Sequence, residues 1–105
     1  MTDKDLLEKA AKAAGIDWFR HTDGGLWQRS GGIWNPLTDD GDALRLAVKL
    51  KMDIVYDFDR VMVVYGDGDA TLTTEYFYDL PTPTDQYAAT RRAVVRAAAA
   101  IGETK

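Results

Sequence analysis

Residues 38–42, Thr38-Asp39-Asp40-Gly41-Asp42, place three carboxylates and a hydroxyl within five consecutive positions. So much oxygen could hold a hard cation. A Ca²⁺ loop of EF-hand type needs spaced oxygen ligands, a glycine at the sixth position and an acid at the twelfth. Neither "DDGD" nor "DGDATLTTE" meets that spacing. Acids just before the amphipathic run "ALRLAVKL" instead satisfy orphan N–H groups and complement the helix dipole, each worth roughly 0.3–1 kcal/mol. The cluster therefore reads as a helix start.

"YGDGDA", residues 65–70, has glycines that could cradle a phosphate. Such a loop normally leads into a helix and carries a lysine. Here β-prone runs flank it and two aspartates would repel the anion, so a hairpin turn is favoured. His21 is the one histidine and Ser30 the one serine; with Asp17 or Asp23 they could form a triad, yet no nucleophile elbow surrounds Ser30. One histidine and no cysteine argue against a transition-metal site. Asp57 and Asp59 are spaced i, i+2, on one strand face or a turn edge, where a solvated turn is a commoner explanation than acid/base work. No catalytic set, metal or cofactor is expected.

Residues suited to contacts remain. Trp18, Trp27 and Trp34 fall close together, and each ring can either fill the core or anchor a partner. Arg91, Arg92 and Arg96 read as a solvated helix face, with an anion or acidic partner as the sharper alternative.

The elements that must position these residues follow from composition and pattern. The 105 residues suit one domain spanning 1–105; 46% are hydrophobic and 29% charged, as in a soluble globular protein. Absent cysteine fits a reducing compartment. The charged start "MTDKDLLEKAAKAAG" has no apolar signal-peptide core, and no apolar run reaches membrane-spanning length, so a soluble cytoplasmic protein is expected. Net charge is −4, but residues 39–85 carry eleven acids against four bases. That acidic middle disfavours direct binding to nucleic acid.

Thr2 or Asp3 caps a first helix through Leu6, Leu7, Ala10, Ala13 and Ala14, stopped by Gly15. "DWFRH" and "LWQRS" flank "TDGG" as a hairpin, and Asn35-Pro36 makes a turn. A second helix runs from Asp39 or Asp40 to about Met52, its stripe Ala43, Leu44, Ala47 and Val48 widened by Leu46 and Leu50. "DIVYDF", "RVMVVY" and "ATLTTEYFYD" are strands, with "VMVV" apolar on both faces and so central. Thr84 caps a last helix with core stripe Tyr87, Val94, Ala98 and Ile101, ended by Gly102. The order α-β-β-α-β-β-β-α predicts an α+β fold, a mainly antiparallel sheet layered with three helices.

"WNPLTDDGDALRLAVKL" followed by "AATRRAVVRAAAAIG" resembles the phage ABA sandwich domain family, over nearly the whole chain. The resemblance implies a layered α/β/α sandwich-like arrangement and a bacteriophage or prophage origin. It implies no activity and no functional residues.

The function expected is that of a non-catalytic phage accessory protein that binds another protein, favoured as an inhibitor of a host antiviral defence such as CRISPR. Its acidic surface would mimic nucleic acid, with Asp57, Asp59, Asp67 and Asp69 brought together by two adjacent turns. The alternative is a phage structural or assembly protein that self-associates through the tryptophan-bearing hairpin or an open sheet edge.

Overall fold

The computed structural model describes residues 2–20, 26–29, 31–65, 70–76 and 83–103. Helix α1 spans Asp3–Ala14. Its N-cap is Thr2, whose hydroxyl accepts the Asp5 N–H at 3.1 Å while the Asp5 carboxylate accepts the Thr2 N–H at 3.3 Å. This reciprocal pair satisfies two donors the helix itself leaves open. At the other end Gly15 turns left-handed (φ 69°), and the Ile16 and Gly15 N–H groups close on the Ala11 and Lys12 carbonyls.

Strands β1 (Trp18–Arg20) and β2 (Leu26–Gln28) form an antiparallel hairpin, extended by a bridge from Trp27 to Ile33. Helix α2 runs Asp40–Lys49 behind an Asp39 N-cap, and ends as α1 does, with Met52 and Lys51 donating to Ala47 and Val48. Here the left-handed residue is Lys51 (φ 55°) rather than glycine.

Strands β3 (Asp53–Asp57), β4 (Arg60–Tyr65) and β5 (Ala70–Tyr76) form an antiparallel meander with β4 central, as its two-sided apolar sequence predicts. Its register shifts between Val63 and Val64. One face presents Ile54, Tyr56, Val61, Val63, Thr73 and Glu75, by the alternation of a pleated strand. Helix α3 (Pro83–Glu103) packs on that face across β4 and β5, and α1 and α2 pack on α3. The layers are thus sheet, then α3, then α1. Val61 and Val63 are fully buried, as are Ala93, Val95, Ala97 and Ala98 of the helix above them. The Thr73 hydroxyl donates to the Ala93 carbonyl at 2.7 Å, pinning β5 to the same helix turn.

The α+β class is as expected, with the strands divided between a two-stranded and a three-stranded sheet. Three local expectations change. Helix α3 starts at Pro83, before Thr84, where proline's fixed φ and missing N–H are tolerated. Gly102 does not end α3, which continues to Glu103; a Cβ there would lie 2.1 Å from the Lys9 carbonyl oxygen. Glycine at this position lets two backbones meet. Finally, Leu44, Val48 and Tyr87 leave their expected core stripes for the surface; α2 buries Asp42, Ala43, Leu46 and Ala47 instead.

Candidate protein-binding groove

The acids of residues 38–42 are structural. The Asp39 carboxylate accepts the Asp42 N–H at 2.8 Å and so caps α2. Asp42, only 7% exposed, accepts the Asn35 N–H at 2.9 Å through one oxygen and Arg45 at 2.8 Å through the other. Asn35 in turn accepts the Leu37 N–H at 3.0 Å, so the turn around buried Pro36 is fixed to the first turn of the helix. Asp40 meets Arg91 at 2.5 Å. Every carboxylate in the run has a protein partner.

The arginines of α3 likewise bind within the molecule. Arg91 donates to the Leu37 carbonyl at 2.8 Å as well as to Asp40, Arg92 pairs with Asp3 at 3.2 Å, and Arg96 pairs with Glu75 at 2.7 Å. They tie α3 to the α2 entry, to α1 and to β5. Arg92 and Arg96 keep the solvated place expected of them, their side chains 43% and 44% exposed, whereas Arg91 is largely covered at 16%.

The tryptophans split. Trp34 is 4% exposed and belongs to the core; Trp18 is half-buried against it, and Trp27 is half-buried on β2. Trp34 is thus closed to a partner, while Trp18 and Trp27 each keep part of the ring exposed.

Two of the four acids expected to cluster fall on described residues. Asp57 is exposed, its carboxylate accepting the Phe58 N–H at 3.1 Å, and Asp59 meets Arg60 at 3.0 Å. Asp67 and Asp69 lie outside the described residues, as do His21, Asp23 and Ser30. The Asp57–Asp59 turn enters β4 at Arg60, whereas the connection holding Asp67 and Asp69 leaves it at Tyr65. The two connections attach at opposite ends of a six-residue strand, about 17 Å apart at ~3.3 Å per residue.

What the structure brings together instead is a groove that sequence patterning placed in the core. Helix α2 contributes Ala43 and Leu44, β3 contributes Ile54 and Tyr56, and α3 contributes Tyr87 and Val94. Leu44, Tyr56 and Tyr87 are 62%, 61% and 56% exposed, an unusual clustering of large apolar side chains in contact with water. Arg91 and Asp40 form a charged rim, and the Tyr56 hydroxyl donates to Thr90 Oγ1 at 3.3 Å across the floor. The groove holds about 240 Å³. That is below the ~300–1,000 Å³ typical of pockets for small-molecule ligands and suits one or two inserted side chains.

The signal that could have revealed it is the width of the apolar stripes. Leu44 and Val48 on α2, and Tyr87 on α3, make each stripe broader than a single neighbouring helix can cover. Among the described residues, no helix is long and apolar enough to cross a membrane. Comparisons of the chain with protein-family models, curated proteins and solved structures find no match.

Proposed function

We propose that the chain works without catalysis, as a protein-binding module whose contact surface is the groove between α2, β3 and α3. The observation that supports this reading is the exposure of Leu44, Tyr56 and Tyr87 around one concavity with a charged rim. Tyrosine rings in such settings bury large area at little entropic cost and recur as binding hot spots. Burying one such side chain fully gives roughly 1.5–3 kcal/mol.

The bacteriophage setting, a cytoplasmic site of action and a role against a host defence system rest on the resemblance carried by "WNPLTDDGDALRLAVKL" and "AATRRAVVRAAAAIG". The acidic middle supports a basic target, one that normally holds nucleic acid being the favoured kind.

The test compares tagged wild type with the Leu44→Ser/Tyr87→Ser double variant in capture from bacterial lysate, with circular dichroism confirming that both are folded. A protein retained by wild type and lost by the variant supports the groove. Equal capture by both, or capture of nothing by either, counts against it.

A further inference from the structure

The groove is bordered by an open strand edge. Among the described residues β3 pairs only with β4, so its far side is an edge of the described sheet. The two-residue turn Phe58–Asp59 makes Asp57 and Arg60 a hydrogen-bonded pair, and antiparallel pairing then alternates. Asp53, Val55 and Asp57 turn their backbone groups toward β4. Ile54 and Tyr56 turn theirs outward, and the side chains of these same two residues line the groove.

The opposite face of β3 carries Asp53, Val55 and Asp57, all exposed. Nine other described acids each meet an arginine or lysine within the molecule. Asp5 is held in the α1 capping pair. Asp53 and Asp57 have no ion pair with any described residue. They bracket Val55 on the one strand that also has outward-facing backbone beside an apolar groove.

Resting on the protein-binding reading above, we propose that the occupant is an extended basic segment of a partner protein, added to β3 as an antiparallel fourth strand. Ile54 and Tyr56 supply the backbone hydrogen bonds. Lysine or arginine at two positions four apart sits across from Asp57 and Asp53, and the two apolar residues across from Ile54 and Tyr56 enter the groove. Charge also selects against a second copy of this chain. Antiparallel self-pairing centred on Val55 would set Asp53 opposite Asp57 twice, and like charges directly opposite are destabilising.

The test titrates the end-blocked peptide Lys-Leu-Val-Leu-Lys into the full ¹⁵N-labelled chain and follows amide shifts. Expected are shifts confined to residues 53–57 and the neighbourhood of Leu44 and Tyr87. Binding should weaken at least tenfold when both lysines become glutamate, and at least tenfold when both leucine nitrogens are methylated. The Asp53→Asn/Asp57→Asn double variant should lose at least fivefold for the lysine peptide. Equal binding of the lysine and glutamate peptides, full binding of the methylated peptide, or shifts centred elsewhere overturn the strand proposal. Should the peptide fail to bind while the Leu44→Ser/Tyr87→Ser variant still loses its captured partner, the strand proposal falls alone. Failure of both removes the protein-binding reading with it.

Discussion

Gly102 of α3 lies so close to Lys9 of α1 that a Cβ on the glycine would come within 2.1 Å of the lysine's carbonyl oxygen. Backbone cannot swing aside as a side chain can, so the α1–α3 crossing depends on the missing methyl. Nearby, Lys9 and Glu103 close an ion pair at 2.7 Å across the same crossing. Gly102→Ala should destabilise the fold by about 1–3 kcal/mol, the usual cost of overpacking. Urea unfolding measures it, and an unchanged midpoint would show that the helices separate without penalty.

Gly15 and Lys51 hold equivalent places after α1 and α2, both left-handed, but only one is glycine. A side chain in that conformation carries roughly 1 kcal/mol of strain. Lys51→Gly should therefore raise stability by a substantial part of that amount, whereas Gly15→Ala should lower it. Opposite shifts in unfolding midpoint are the expected pair of results; shifts of the same sign would contradict the motif.

Asp42 joins three groups: the Asn35 N–H, the Arg45 guanidinium and, through its own N–H, the Asp39 cap. Asp42→Ala leaves the Asn35 donor without its acceptor in a half-buried place. A loss of about 1.5–3 kcal/mol is expected, the range for hydrogen bonds to charged groups. Asp42→Asn should recover part of it by keeping an acceptor. Equal losses in the two variants would mean that packing, not hydrogen bonding, sets the cost.

The Thr2 backbone N–H, and next the Thr2 hydroxyl, hold the Asp5 carboxyl below its ordinary value. A carboxylate depressed in the folded state stabilises above its unfolded pKa, and that contribution is lost as pH falls through the folded value. The α1 capping pair should therefore be intact at neutral pH and weaken only under acid conditions below the ordinary aspartate range. Asp5→Asn should flatten that acid limb of the stability curve. An unaltered acid limb in the variant would assign the pH dependence to other groups.

Much of this architecture is legible in local sequence, and the exceptions share a cause. The Thr2 cap, the Gly15 stop, the Asp39 start and the central place of "VMVV" all follow from residues within a few positions of one another. Arg91 to Leu37, Arg92 to Asp3 and Arg96 to Glu75 span 54, 89 and 21 positions, and nothing local foretells them. Gly102 shows the same limit from the other side. A glycine near a helix end reads as a stop, and only the approach of α1 reveals its packing role.

The candidate site was hidden for a related reason. Apolar periodicity says which residues share a helix face, not how much of that face a neighbour covers. Leu44 and Tyr87 fit their stripes and still project into solvent, where they line a groove together with Ile54 and Tyr56 of β3. Of the acidic cluster, Asp57 and Asp59 are described at the β3–β4 turn, and Asp67 and Asp69 lie outside the described residues.

Amide hydrogen exchange along the whole chain, measured with and without the captured partner, tests the groove most directly. The account predicts new protection in residues 53–57, around Leu44 and around Tyr87, with the Trp18–Trp27 hairpin unchanged. Protection confined to that hairpin, with β3 exchanging as before, would contradict it.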